Sequence, residues 1–104
     1  MEAALRKVLA QKTVVAGITA SISGQEAETT KIFDDQQRLR ENMKALKGSA
    51  EEKALLLRYT KQLGDQEDRL EKLAKETAQL EAQREKEQGA LDRLMQEMAM
   101  DVRL

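Results

Sequence analysis

The stretch ALKGSAEE, Ala45 to Glu52, marks a tight connection between two helices. Gly48 suits the left-handed backbone position that commonly follows the end of a helix. Ser49 and Glu52 form the S-x-x-E pattern of a capping box, whose hydroxyl and carboxylate satisfy backbone N–H groups at the start of a helix. The stretch therefore predicts helices over about residues 3–47 and 50–100, with a turn at Gly48–Ser49. Such short connections make consecutive helices antiparallel neighbours.

A heptad pattern, with side chains recurring at alternating three- and four-residue spacing, runs along both helices. We call these two sets of residues the core rows. The core row of the first helix comprises Ala4, Val8, Gln11, Val15, Ile18, Ile22, Gln25, Thr29, Ile32, Gln36, Leu39, Met43 and Leu46. The core row of the second helix comprises Leu56, Tyr59, Leu63, Gln66, Leu70, Leu73, Thr77, Leu80, Arg84, Glu87, Leu91, Leu94 and Met98. The pattern predicts an all-α fold, an antiparallel two-helix coiled-coil hairpin that spans residues 1–104 as one domain.

Folding one core row onto the other about the turn pairs residues as in a mirror. Leu39 then meets Leu63, and Gln36 meets Gln66. A single buried glutamine would cost about 1 kcal/mol or more, whereas two facing amides satisfy each other. We therefore predict that Gln36 and Gln66 form a polar layer that fixes the register. The alternative is that both side chains extend to solvent.

The stretch TVVAGITASISG, Thr13 to Gly24, alternates apolar and small polar residues in the manner of a β-strand. A lone strand would have no second strand to pair with and would not be stable. The three–four spacing of the core row also continues through it without a skip. The sequence therefore predicts helix here, with fraying or a bend near Gly17 or Gly24.

The same stretch is predicted to be a contact surface. In the mirror pairing, Val15 faces Glu87 and Ile18 faces Arg84, so apolar side chains meet charged ones. An apolar stripe without an internal partner usually has an external one. The stripe consists of Val14, Val15, Ile18 and Ile22. It predicts a homodimer in a four-helix arrangement, since a lone hairpin buries only one narrow row.

Three further apolar residues are candidate contact sites. Leu55 and Leu57 flank Leu56 in the core row near the turn, so at least one of them is expected to be exposed there. Phe33, next to Ile32 in the core row, either covers the groove between the helices or anchors a partner. Scattered exposed leucines are also normal in soluble proteins, which is the alternative interpretation for the turn region.

The composition argues against a catalytic or ligand-binding role. The chain of 104 residues has no His, Cys, Pro or Trp, and its charged residues (36%) nearly balance at net −1. General acid–base and nucleophilic catalysis usually enlist histidine or cysteine. We therefore predict no enzyme activity, no cofactor, no metal site and no small-molecule substrate. Interleaved charges without an aromatic platform argue against nucleic-acid binding, and no apolar run approaches the roughly 20 residues of a membrane span.

A larger family has a similar sequence around the turn. KIFDDQQRLRENMKALKGSAEEKALLLRYTKQLGDQEDRLEKL, Lys31 to Leu73, resembles the helical C-terminal region of bacterial mucoidy-inhibitor-like proteins of unknown function. The pattern lies in Asp35-Gln36, Arg38, Arg40-Glu41-Asn42-Met43 and Ala45-Leu46, followed by the turn. The resemblance implies a hairpin that follows a β-rich domain in a larger protein. The segment before Lys31 departs from the family's Leu/Glu/Ala-rich helix.

These observations predict a structural or protein–protein interaction module, a spacer or arm that self-associates through the Val14–Ile22 stripe. Its partner is then a second copy or a domain of a parent protein. The alternative is a free-standing helical-hairpin chaperone or secretion partner that clamps another protein's helix. The sequence does not name a compartment, and the resemblance is compatible with the bacterial cell envelope or the cytoplasm.

Overall fold

The computed structural model describes the backbone of residues 2–103 and the side chains of residues 2–101. Helix α1 covers Glu2–Lys44 and helix α2 covers Ala50–Arg103. Over residues 2–103 the chain forms these two helices and no strand, and hydrogen bonds between their side chains join them. The predicted all-α helical hairpin is confirmed.

The chain divides into two compact units, each built from one segment of either helix. Unit 1 combines Met1–Gly24 with Thr77–Leu104, and unit 2 is the continuous segment Gln25–Glu76 that contains the turn. Each unit is therefore an antiparallel pair of helical segments with its own apolar core.

The cores of both units follow the predicted core rows. In unit 2, Leu39 and Leu73 are almost completely buried, at 0% and 1% exposure. In unit 1 the buried apolar residues are Val8, Ile18, Ile22 and Leu91. The other core-row residues of both helices are buried or half-buried except Leu56, which is 39% exposed. The three–four spacing thus indicates which side of each helix meets the other.

The connection between the helices is longer than predicted. Helix α1 ends at Lys44 rather than near Lys47, so the link comprises the five residues 45–49. The N–H groups of Ala45 and Leu46 bond to carbonyls three residues earlier, those of Asn42 and Met43, which tightens the last turn and ends the α-helical pattern. Gly48 has the predicted positive φ, 91°, but it lies within the link rather than directly after the helix.

The alternating stretch Thr13 to Gly24 is helical throughout, and α1 continues through both Gly17 and Gly24. Hydroxyl groups within it bond back to the preceding turn, from Ser21 to the Gly17 carbonyl and from Thr13 to that of Leu9. These bonds satisfy the polar side chains inside the helix. The strand-like alternation is therefore a property of composition and not of backbone conformation.

Candidate protein-interaction site

The start of α2 is held by a complete capping box. The N–H of Glu52 donates to Ser49 Oγ (3.1 Å), and the N–H of Ser49 donates to Glu52 Oε1 (3.2 Å). The second carboxylate oxygen of Glu52 accepts a bond of 2.7 Å from the N–H of Lys47. One carboxylate therefore joins the link to the first turn of α2, a contact that the sequence pattern alone does not reveal.

Hydrogen bonds to its charged form lower the pKa of Glu52 from the usual 4.5; the N–H of Lys47 has the largest effect, followed by the hydroxyl and N–H of Ser49. A lowered folded-state pKa stabilises the fold above the unfolded-state value, and the effect disappears as pH falls through the folded-state value. We expect the difference in unfolding free energy between wild type and Glu52→Gln to be largest near neutral pH and to shrink below about pH 4.5. Urea unfolding across this pH range measures it.

Glu51→Gln is the matched control for this prediction. Glu51 lies in the same first turn, and its carboxylate accepts no hydrogen bond among those of the described residues. A pH dependence that changes equally in both variants would contradict a special role for Glu52.

The polar layer in unit 2 is more elaborate than a pair of facing amides. Gln36 is only 2% exposed, and its Nε2 donates to Glu67 Oε1 at 2.8 Å. Gln66 Nε2 donates to Asp35 Oδ2 at 2.6 Å. Each glutamine therefore bonds to the carboxylate beside the other glutamine, not to the other amide as predicted. The physical reason is strength, since an amide bonds more strongly to a charged acceptor than to a neutral one.

Arg38 and Gln66 hold one end of this layer in place. Arg38 Nε bonds Asp35 Oδ1 at 2.9 Å, and this contact is the main reason that the pKa of Asp35 is lowered, with the bond from Gln66 adding to it. Gln66 Oε1 is buried without a hydrogen-bond partner in the described structure. The layer thus connects the two helices by charge-assisted bonds but leaves one acceptor unsatisfied, and its role in fixing the register stays a prediction.

Three more pairs of polar residues join α1 and α2 within unit 2. Arg69 forms two hydrogen bonds with the carboxylate of Glu28, at 2.8 and 3.1 Å. Gln25 Nε2 donates to Glu76 Oε2 at 3.1 Å, and Asn42 reaches the Tyr59 hydroxyl at 3.5 Å. These contacts pair residues of α1 in descending order with residues of α2 in ascending order, as antiparallel helices require.

The Val14–Ile22 stripe is not the free surface that the sequence predicted. Ile18 and Ile22 are buried within the single chain, and Val15 is half-buried, so only Val14 is exposed. Glu87, predicted to face Val15, has a hydrogen-bond partner on α1. Gln11 Nε2 donates both to the Glu87 carboxylate (2.7 Å) and to the Glu87 backbone carbonyl (2.8 Å). The half-buried Arg84 and Glu87 remain on the inner side of α2, where long side chains cover apolar neighbours.

The residues near the turn agree with the prediction in part. Leu57 is 72% exposed and Leu55 is half-buried, so one of the two is exposed as expected. Leu56, which was placed in the core row, is 39% exposed and so more exposed than Leu55. Phe33 is 55% exposed, and its anchoring role stays a prediction. A shallow groove beside the turn is lined by Glu51, Ala54, Leu55 and Arg58.

The described residues form neither a metal-binding cluster nor a membrane-spanning segment. No three Asp or Glu side chains of this His- and Cys-free chain come together as metal ligands within the described part. Neither helix, over the residues described, has a stretch that is long and apolar enough to cross a bilayer. Among the described residues outside the core rows, Leu5, Leu9, Val14, Phe33, Leu57, Met95 and Met100 are large, apolar and exposed.

Comparison with known proteins adds no further identification of the chain. No protein-family model, no curated protein and no solved structure matches it.

Proposed function

We propose that this chain is a non-catalytic, coiled-coil hairpin module that acts as a structural spacer or arm and self-associates as a homodimer. One observation supports the proposal above the others. Among the described side chains only six apolar residues are buried, in a chain of 104 residues: Val8, Ile18, Ile22, Leu39, Leu73 and Leu91. So small a core gives marginal stability, which association with a second surface would increase.

The resemblance around the turn supports a role as one part of a larger bacterial protein, in which the hairpin follows another domain. Helices of 43 and 54 residues suit a spacer, because a long α-helix spans distance through its backbone hydrogen bonds and needs no large core to do so. A reading frame that continues upstream into a β-rich domain would support this role. A frame that begins at Met1 and encodes a free hairpin would favour the second candidate below.

Sedimentation equilibrium over a wide concentration range tests self-association. We expect a dimer that dissociates on dilution, because association adds buried apolar area to a small core. A well-folded monomer that persists at high micromolar concentration would contradict the proposal. Circular dichroism on the same samples distinguishes a folded monomer from an unfolded chain.

The second candidate is a free-standing hairpin that clamps a helix of another protein, as a chaperone or secretion partner does. The exposed Leu56 and Leu57 next to the groove of Glu51, Ala54, Leu55 and Arg58 favour it, because apolar side chains beside a groove suit an amphipathic helix. Leu57→Asp is expected to abolish such a contact without altering self-association. Co-purification of a partner with wild type and not with this variant would favour this candidate.

A further inference from the structure

Unit 1 carries an exposed face beside its core row, which we call the unit 1 flank. On α1 it includes Leu5, Leu9 and Lys12, which follow the core-row residues Ala4, Val8 and Gln11. On α2 it includes Glu85, Asp92 and Met95, which follow Arg84, Leu91 and Leu94. All six side chains are exposed, and three of them are large and apolar.

The α1 and α2 residues of the flank lie on the same side of unit 1. In an antiparallel pair of helices, positions that stand in the same relation to the core row lie next to each other. Glu28 and Arg69 each precede a core-row residue, Thr29 and Leu70, and they bond to each other across the helices. Residues that precede the core rows therefore share one side of an antiparallel pair, and residues that follow the core rows share the other. Leu5 and Met95 thus lie on the same side of unit 1.

Charges on the unit 1 flank form no ion pair with any other residue that the structure describes. All six ion pairs of the described residues lie in unit 2, between residues 28 and 76. Lys12 contacts no carboxylate in the described structure, and Asp92 accepts a bond only from the neutral Gln88. The flank therefore presents the cation Lys12 on α1 and three carboxylates, Glu81, Glu85 and Asp92, on α2.

The chain exposes more surface than a folded monomer of its mass usually does. Its accessible area is 7850 Å², whereas a folded monomer of 11.7 kDa exposes about 5,900 Å² by the usual scaling of area with mass. This excess belongs to the whole chain, and it is larger than the roughly 800 Å² that each partner contributes to a standard interface. A second copy of the same chain would supply both the apolar and the charged complement.

We propose that the unit 1 flank is the homodimer surface, with α1 of one copy lying on α2 of the other and both turns pointing the same way. This inference rests on the proposed self-association and specifies its surface. A two-fold axis parallel to the helices sets Lys12 of each copy between Glu85 and Asp92 of the other. Leu5, Leu9 and Met95 of the two copies then form one apolar cluster.

Two alternative dimer arrangements would pair opposite charges less well: one that stacks the α1 helices of both copies, and one that uses the opposite flank of unit 1. Stacking α1 on α1 would bring Lys12 near its own copy and leave the carboxylates of both α2 helices facing each other. The opposite flank of unit 1 has Lys7 on α1 and both Lys86 and Arg93 on α2, with only Glu97 as an acid. Glu2 also lies on the unit 1 flank, almost three helical turns from Lys12 along α1.

A charge-exchange experiment tests the proposal. Variant A carries Lys12→Glu, and variant B carries Glu85→Lys with Asp92→Lys, so each opposes like charges in its own homodimer. We expect each variant alone to dimerise at least about tenfold more weakly than wild type. An equimolar mixture, followed by sedimentation velocity with one variant labelled, is expected to restore a mixed dimer. Lys31→Glu, an exposed lysine of α1 in unit 2, is the matched control and should dimerise as wild type does.

The outcomes separate the surface from self-association itself. If wild type dimerises and variants A and B do so equally well, the surface is wrong while self-association stands. If A and B are weakened but their mixture is not restored, the pairing of α1 with α2 is wrong. If wild type remains monomeric at high micromolar concentration, the proposed self-association fails and this surface fails with it. Unchanged helix content by circular dichroism shows that the variants fold.

Discussion

Leu39→Ala is expected to lower the free energy of unfolding by about 2–5 kcal/mol. Leu39 is 0% exposed, so the change removes buried methyl groups and leaves a cavity that a pair of helices fills only in part. Domains of this size are stable by only about 5–15 kcal/mol, so the loss is a large part of the total. Urea unfolding followed by circular dichroism measures it.

Leu57→Ala is the control for Leu39→Ala because it makes the same chemical change on the exposed side of α2. Leu57 is largely exposed, so we expect a change of at most about 0.5 kcal/mol. Both variants are compared with wild type at one protein concentration, since self-association would add to the apparent stability. Equal losses in the two variants would mean that the core rows do not meet in solution.

Gln36→Glu is expected to destabilise the hairpin by about 3–5 kcal/mol at neutral pH. The substitution puts a carboxylate in a buried position and next to Glu67, the present acceptor of the Gln36 amide. Burial and a like charge both raise the folded-state pKa of the new group. A raised folded-state pKa means that the folded state binds the proton more tightly, so the lost stability returns as pH falls and the group is protonated.

Gln36→Leu separates the effect of charge from the loss of the hydrogen bond. Glu67 is exposed, so water solvates its carboxylate when the amide is removed. We therefore expect the variant to lose at most about 1 kcal/mol of unfolding free energy, or to be more stable than wild type. Unfolding of both variants at neutral and acidic pH tests the pair of expectations. A Gln36→Glu variant as stable as wild type at neutral pH would show that position 36 is in contact with water.

Much of the fold follows from the sequence because helices obey simple local rules. Ser49 and Glu52 predict where α2 begins, since the capping box needs only those two side chains at that spacing. The three–four spacing predicts which side of each helix is buried, as the burial of Leu39, Leu73 and Leu91 shows. These signals depend on neighbours within a few residues, which a sequence displays directly.

The details that differ depend on contacts that spacing does not specify. The end of α1 at Lys44 follows from bonds of Ala45 and Leu46 that compete with the α-helical pattern. The polar layer differs because glutamine side chains extend far enough to reach Asp35 and Glu67 outside the core rows. Long polar side chains select the strongest acceptor within reach, whichever row it occupies.

The candidate contact surface was the least predictable part. Charged residues opposite Ile18 suggested an unpartnered stripe, but the long stems of such residues can cover apolar neighbours, and Ile18 and Ile22 are buried within the chain. The unit 1 flank becomes visible only when the absence of ion pairs in the described part of unit 1 is set beside the exposure of Leu5, Leu9 and Met95. Pairing and exposure are properties of the folded chain.

Disulfide cross-linking tests most directly whether the two helices pair antiparallel within one chain in the mirror register. The chain has no cysteine of its own, so pairs can be introduced at positions of choice. Leu39→Cys with Leu63→Cys is expected to form an intramolecular disulfide readily under oxidation at high dilution. Leu39→Cys with Leu73→Cys should stay reduced, because residue 73 lies about 15 Å further along α2 than residue 63. Cross-linking of the second pair and not the first, or only covalent dimers at high dilution, would contradict the hairpin.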